Sequence, residues 1–158
     1  MAIEIERKFL VVGESWRAQA TRSVPMDQGY LAGEGGRAST RVRTQGDQAR
    51  LNIKAAVVGH TRAEFDYAIP MTDARQILET LCIGRLTKTR HYIERDGLTW
   101  EVDEFHGANQ GLVVAEIELE FAAAAFERPD WLGMEVTDDR RYYNHYLALY
   151  PYSTWKPA

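Results

Sequence analysis

Charged and amide side chains alternate with apolar ones along several segments of this sequence, and acidic residues dominate some segments while cations dominate others. In an extended chain, alternate residues point to the same side, so each set would form one polar face of a strand. The sets are Glu4, Glu6 and Lys8; Arg41 and Arg43; Asn52 and Lys54; Arg62, Glu64 and Asp66; Lys88 and Arg90; Glu101 and Asp103; and Glu116, Glu118 and Glu120.

These residue types point to metal and phosphate chemistry. Two carboxylates about 4 Å apart repel by about 4 kcal/mol at an effective dielectric of roughly 20, so a cluster of them favours a bound cation. Ligation by carboxylates alone, without histidine or cysteine, is typical of hard cations such as Mg²⁺ or Mn²⁺. An array of arginine and lysine that faces such a metal favours a multiply charged phosphate chain. The pattern therefore predicts a polyphosphate site, provided that the polar faces share one enclosed space.

The alternative is an ordinary barrel with an apolar interior and a solvated charged surface. For any single strand this alternative is the better interpretation. Three observations count against it together: the faces sort by sign of charge, the clustered carboxylates repel one another, and the opposite faces are rich in Ile, Phe, Leu, Val and Tyr. An inverted barrel, polar inside and covered outside by helices, accommodates all three.

The elements that must position these residues form one α+β domain over residues 1–158. Alternation predicts about eight strands, at residues 3–11, 28–31, 37–44, 50–55, 61–69, 86–95, 98–106 and 112–121. Helices are predicted at residues 16–21, at 72–82 with Thr72 as the N-cap, and at 138–149. The connections are short, including a turn at Gly59 and the hairpin signal Asp96-Gly97. Antiparallel strands with such connections favour a closed barrel, because closure removes exposed edges.

Composition excludes several other classes of protein. The net charge of −4 gives no bulk attraction to nucleic acid or to an anionic membrane. The apolar runs are far shorter than the roughly 20 residues that span a bilayer, and the acidic N-terminus is unlike a signal peptide, so we expect a cytoplasmic protein. The single cysteine, Cys82, allows neither an intrachain disulfide nor a cysteine-rich zinc site. The histidines lack metal-ligand spacing and are expected in surface or packing roles; they are His60, His91, His106 and His145.

The opening Glu4-Ile5-Glu6-Arg7-Lys8 resembles the Glu-x-Glu-x-Lys signature of the CYTH domains, also called triphosphate tunnel metalloenzymes. The resemblance continues in order through nearly the whole chain. Its further blocks are Gln28 to Leu31, Arg41 to Arg43, Asn52 to Lys54, Arg62 to Glu64, Lys88 to Arg90, Trp100 to Asp103, Ala115 to Glu120, Gly133 to Thr137 and Arg140 to Tyr146.

The resemblance implies a closed eight-stranded antiparallel tunnel with two chemically different walls. The implied metal ligands are Glu4, Glu6, Asp103, Glu116 and Glu118, with Glu64 and Glu120 as further candidates. The implied triphosphate-binding residues are Lys8, Arg41, Arg43, Lys54, Lys88 and Arg90. The implied catalytic residues are Lys8, Tyr30, Lys88 and Arg90, and in this family a tyrosine at the position of Tyr30 can lie near the lysine of the first strand.

The activity implied by the resemblance is hydrolysis of inorganic triphosphate to pyrophosphate and phosphate, with Mg²⁺ or Mn²⁺ as cofactor. The partner is then a small-molecule triphosphate rather than nucleic acid or membrane, and a homodimer stays open. Other members of the family cyclise ATP or hydrolyse thiamine or nucleoside triphosphates, and these activities remain alternatives. So does a polyphosphate- or nucleotide-binding module without turnover, although a pure binding protein needs the basic wall more than the acidic one.

Overall fold

The computed structural model describes residues 2–33, 35–56 and 60–155, with side chains from Ile5 onward. The strands are β1 (Ala2–Val11), β2 (Arg22–Tyr30), β3 (Ala38–Gln45), β4 (Gln48–Ala55), β5 (Thr61–Ala68), β6 (Gly84–Arg95), β7 (Leu98–Phe105), β8 (Val113–Glu118) and β9 (Leu132–Glu135). The helices are α1 (Met71–Thr80) and α2 (Asn144–Leu149), with 3-10 turns at Ser15–Gln19, Gly107–Asn109, Arg140–Tyr142 and Tyr152–Thr154. None of the helices in these ranges is both long and apolar enough to cross a membrane.

The first eight strands form a closed antiparallel barrel. Their hydrogen-bonded order is β5-β4-β3-β2-β6-β7-β8-β1, and pairing of β1 with β5 joins the two ends of the sheet. Residues 2–5 of β1 pair with β5, while residues 6–10 pair with β8 on the opposite edge. The closed eight-stranded barrel expected from the sequence is therefore confirmed. β9 was not expected; it pairs with the last part of β1 at Phe9 and Val11.

The apolar core lies outside the barrel, on the faces opposite the charged residues. Three clusters cover different sides of the sheet. The first surrounds Phe9, Trp100 and Trp131; the second lies under α2 around Leu147; and the third packs α1 against Val42. Each fully buried large apolar side chain contributes about 1.5–3 kcal/mol, so this outer layer offsets the cost of a polar interior.

Several predicted boundaries differ from the structure. β2 begins at Arg22 rather than at residue 28, because it pairs along its whole length with β6. The residue pattern of β2 alone does not predict this tertiary contact. α1 begins one residue before Thr72, and Pro70 occupies the N-cap position without a side-chain hydrogen bond. The predicted helix over residues 138–149 is a 3-10 turn followed by α2, because Tyr143 is extended, with ψ 141.

Three further short segments are also expected from the sequence. The predicted helix over residues 16–21 is a 3-10 turn at Ser15–Gln19. The Asp96-Gly97 hairpin is confirmed, since both residues have positive φ, 52 and 76, as a type I′ turn requires. The turn expected at Gly59 lies outside the described residues.

Gly84 allows α2 to approach β6 closely, and this contact is testable. A Cβ added at Gly84 would lie 2.8 Å from the Ala148 carbonyl oxygen, which belongs to the helix backbone and cannot rotate away. We expect Gly84→Ala to lower the free energy of unfolding by about 1–3 kcal/mol, as overpacking does elsewhere. Chemical denaturation measures the change. Gly36→Ala is the matched control, because its nearest contact would be an ordinary 3.8 Å; equal stability of the two variants would contradict the packing argument.

Candidate active site in the barrel interior

A cavity of about 440 Å³ occupies the barrel interior and is lined by polar side chains from the surrounding strands. The predicted site residues that line it are Glu6, Lys8, Tyr30, Arg41, Arg43, Lys54, Glu64, Arg90, Glu116 and Glu118. Lys88 and Asp103 lie buried beside Arg90, with which Asp103 forms a salt bridge. The polar faces therefore point inward, as an inverted barrel requires.

Two of the predicted metal ligands stand apart from this set. The side chain of Glu4 lies outside the described residues, although its backbone belongs to β1. Glu120 follows the end of β8, is exposed, and borders a shallow surface depression rather than the interior cavity. The structure thus does not bring Glu120 into the site, because the strand alternation on which its prediction depends stops at Glu118.

The carboxylates on β1 and β8 form an acidic wall. The register pairs Glu6 with Glu118 and Lys8 with Glu116 across neighbouring strands, and directly opposite side chains have Cβ atoms about 5 Å apart. Arg62 Nη2 donates to Glu6 Oε1 at 2.7 Å, and Lys8 Nζ lies 3.3 Å from Glu116 Oε1. These contacts give Glu6 and Glu116 each a cationic partner in the wall.

The pKa of Glu116 reflects this balance of charges. Burial and the Glu6 carboxylate act to raise the pKa of Glu116, but nearby Lys8 and the cations of β6 outweigh them, and the pKa lies below its usual value. Glu116 is thus ionised at neutral pH, as a ligand of a cation must be.

The donor set of the acidic wall fits a hard divalent cation, because it offers carboxylate oxygens. Within the described residues no three acidic, histidine or cysteine side chains already converge into a metal cluster. Glu6 and Glu116 are held instead by Arg62 and Lys8. A divalent cation would therefore replace protein cations as the partner of these carboxylates.

Asp103 is bound by the cations of β6. Its Oδ2 accepts from Lys88 Nζ at 2.7 Å, and Arg90 donates to both carboxylate oxygens, from Nε at 2.8 Å and from Nη2 at 2.9 Å. Burial acts to raise the pKa of Asp103, but Arg90 and Lys88 prevail and lower it to about 2. In this structure Asp103 therefore orients two cations, and its predicted role as a metal ligand stays a prediction.

The remaining cations form a basic wall in which positive charges crowd one another. Burial, Arg41 and Arg90 together lower the pKa of Arg43 to about 9. Burial also lowers the pKa of Lys88 well below its usual value, with Arg90 and Arg43 acting in the same direction against Asp103. Arg41 Nε is buried without a hydrogen-bond partner among the described residues. Such a wall would favour an anion, because an anion would relieve the repulsion among its cations.

A segment of the chain that the charge pattern did not indicate also contributes to the cavity lining. Its residues, which extend from the last 3-10 turn before α2 into α2, are Arg140, Tyr143, Asn144, His145 and Tyr146. No alternation of charge marks this segment in the sequence, and the one available signal was its place in the family resemblance.

This C-terminal segment contacts the site directly. The His145 ring stacks on Tyr30, with centroids 4.4 Å apart and planes 5° from parallel, so His145 packs within the site rather than on the surface. Lys8 Nζ donates to the Tyr142 carbonyl at 3.0 Å and lies 4.9 Å from the centre of the Tyr143 ring. Lys8 is thereby fixed by the C-terminal segment and Glu116.

Comparison with known proteins agrees with this geometry. The CYTH domain model matches residues 2–144. The chain is 44% identical to an inorganic triphosphatase of Acetivibrio thermocellus over 99% of both chains, and 37% identical to an inorganic triphosphatase of Nitrosomonas europaea over 92% of this chain and 97% of the other. A crystal structure of an inorganic triphosphatase superimposes with a TM-score of 0.69 at 35% identity, covering 94% of this chain and 96% of that one. Barrel, site and sequence together show that this chain belongs to the CYTH family.

Proposed function

We propose that this protein is a metal-dependent hydrolase that cleaves inorganic triphosphate to pyrophosphate and phosphate. The observation that carries the proposal is the division of one 440 Å³ cavity into an acidic wall and a crowded basic wall. A substrate made of phosphate groups and a divalent cation matches both walls. Relatives that align over nearly the whole chain are inorganic triphosphatases, which supports a hydrolase.

The basic wall would bind the phosphate chain. Arg41, Arg43 and Arg90 present guanidinium groups, which can donate two parallel hydrogen bonds to phosphate oxygens, while Lys8 and Lys54 act as point charges. Lys88 is buried next to Arg90, and both donate hydrogen bonds to Asp103. Its charge would therefore add to the positive potential of the basic wall. These cations would also stabilise the negative charge that develops on the leaving pyrophosphate.

The acidic wall would hold the cation. The candidates are Glu6, Glu116 and Glu118, together with Glu4 and Asp103 from the family pattern, and Glu64, which lines the cavity and accepts from Asn52 Nδ2 at 2.9 Å. When bound, Mg²⁺ or Mn²⁺ supplies charge neutralisation for the phosphates and lowers the pKa of a coordinated water. Enzymes with CYTH triphosphate tunnels are metal-dependent in general.

Lys8 and Tyr30 would take catalytic roles at different points of the cavity, which both residues line. Lys8 is held by Glu116 and the Tyr142 carbonyl, so its ammonium group is fixed between the acidic wall and the C-terminal segment. The Tyr30 hydroxyl accepts from Gln28 Nε2 at 2.9 Å, which leaves its own proton available to a phosphate oxygen. In the overall reaction, a water oxygen bonds to the terminal phosphorus while the bond from that phosphorus to the bridging oxygen breaks.

Substrate preference tests the proposal. Each protein contact above is to a phosphate oxygen or to the cation, so we expect inorganic triphosphate to exceed ATP in kcat/KM by at least tenfold, about 1.4 kcal/mol. Pyrophosphate should be a poor substrate, because it is too short to engage both walls fully. Initial rates of phosphate release with triphosphate, ATP, thiamine triphosphate and pyrophosphate, each with Mg²⁺ and with Mn²⁺, provide the measurement. ATP at least equal to triphosphate, or cyclic AMP among the products, would refute the assignment.

The acidic wall has its own test in Glu6→Gln. This change keeps the shape of the side chain and its acceptor for Arg62 but removes a negative charge from the proposed cation site. Because even indirect partners of a metal ligand are worth 10–100-fold, we expect turnover at saturating Mg²⁺ to fall by about 100-fold or more. Glu79→Gln, on the exposed surface of α1, is the matched control. Full activity of Glu6→Gln, with its circular dichroism spectrum unchanged, would remove Glu6 from the site.

A further inference from the structure

Gln28 is a fully buried amide inside the barrel, and the proposed reaction assigns it no role. It lies on β2 directly opposite Arg43 of β3 in the strand register. A buried primary amide is costly unless each of its polar atoms is paired. The hydrogen-bond partners of Gln28 therefore show what stabilises its amide in the barrel interior.

The partners of Gln28 connect the basic wall to the C-terminal segment. Arg43 Nε donates to Gln28 Oε1 at 3.1 Å. Gln28 Nε2 donates to the Tyr30 hydroxyl at 2.9 Å and to Asn144 Oδ1 at 3.3 Å, and the same Asn144 oxygen accepts from Lys88 Nζ at 2.8 Å. Both donor hydrogens of the Gln28 amide and one of its acceptor sites are thus in use.

The orientation of the amide follows from the chemistry of its neighbours. Guanidinium and ammonium groups only donate hydrogen bonds, so Arg43 requires the oxygen of Gln28, and Lys88 requires the oxygen of Asn144. A rotation of the Gln28 amide by 180° would set an NH₂ group against the Arg43 N–H. The network therefore has one self-consistent arrangement, which fixes the Arg43 guanidinium through its Nε.

A neutral partner also leaves the charge of Arg43 available. Arg90, on the adjacent part of the wall, forms salt bridges with two carboxylates, those of Asp103 and Glu101. Within the described residues, the hydrogen-bond partner of the Arg43 side chain is the uncharged Gln28. Arg43 lines the cavity, and since its Nε is occupied, its terminal nitrogens remain for an anion there.

We propose that Gln28 is a positioning residue that orients Arg43 toward the phosphate chain and gives it a neutral hydrogen-bond partner in place of a carboxylate. This inference rests on the proposed triphosphatase function and adds to it. Gln28 would then have two tasks. Orientation of the Arg43 guanidinium requires a hydrogen-bond acceptor at Gln28, whereas binding of an anion by Arg43 requires that this acceptor be neutral.

Two substitutions separate these tasks. Gln28→Met removes the hydrogen bonds with little change in size, and we expect kcat/KM for triphosphate to fall by about 10- to 100-fold, as misplacement of a binding group does elsewhere. Gln28→Glu keeps an acceptor for Arg43 but adds a carboxylate and loses the donors to Tyr30 and Asn144. We therefore expect Tm to fall in both variants, with KM rising in Gln28→Glu at least as much as in Gln28→Met. A merely structural role predicts the lowered Tm with a normal KM.

A double-mutant cycle tests whether Gln28 acts through Arg43. In an Arg43→Met background, Gln28→Met should change kcat/KM by less than about twofold, because its partner is already absent. Asn109→Leu is the control for loss of a buried amide: Asn109 Oδ1 accepts from the Tyr152 backbone N–H outside the cavity, so only Tm should fall. The same loss from Gln28→Met in both backgrounds, or an unchanged kcat/KM with a lowered Tm, would overturn the proposal.

Binding of tripolyphosphate, measured by titration calorimetry with EDTA present, keeps this inference separate from the proposed function. Gln28→Met and Gln28→Glu should each weaken binding by about tenfold or more, and the cycle with Arg43→Met should again be non-additive. If the wild-type protein binds tripolyphosphate without hydrolysing it, the proposed function fails while the role of Gln28 is still decided by the binding cycle. A wild-type protein that binds no tripolyphosphate with EDTA and does not hydrolyse it with Mg²⁺ would overturn both; if it hydrolyses tripolyphosphate without such binding, the kinetic cycle decides the role of Gln28.

Discussion

The salt bridges among Asp103, Lys88 and Arg90 hold together the most deeply buried charges of the barrel. Removing an ion from water costs several kcal/mol, and the cost is recovered only when geometry and hydrogen bonding are good. Here the buried Asp103 carboxylate forms salt bridges with Lys88 and Arg90, whose side chains are also buried. Each of the hydrogen bonds between them is shorter than 3 Å. The basic wall rests on this arrangement, because Arg90 and Lys88 are fixed before any ligand arrives.

The interior as a whole follows a graded pattern of charge compensation. Arg90 and Lys88 share a carboxylate, Lys8 has Glu116, and Glu6 has Arg62. Arg43 is held by a neutral amide instead. The cations with carboxylate partners are held by salt bridges, while Arg43, with its neutral partner, would be more available to an anion. The apolar clusters outside the strands make this possible, since they carry the hydrophobic stabilisation that an ordinary barrel places inside.

The sequence predicted those parts of the molecule that depend on strand alternation. The strands from β3 to β8 and the inward direction of Arg41 and Lys54 follow from period-two patterning and sorted charges. Strand alternation and sorted charges did not predict the features that depend on other interactions. β9 is only four residues long and forms by pairing with β1. Gln28 and His145 act through neutral hydrogen bonds or ring stacking, which leave no charge signature. Catalytic and metal-ligand roles remain predictions, because position alone does not reveal chemistry.

The seam formed by β1 has a consequence for biosynthesis. β1 precedes the other strands of the barrel in the chain, yet its partners for residues 6–10 belong to β8, the last barrel strand to be synthesised. The acidic wall therefore cannot assemble, and the barrel cannot close, until all eight of these strands have been made. Until then residues 6–10 of β1, including Glu6, lack their partner strand. The many contacts between distant segments also give the domain a high contact order, which is typical of slow folding.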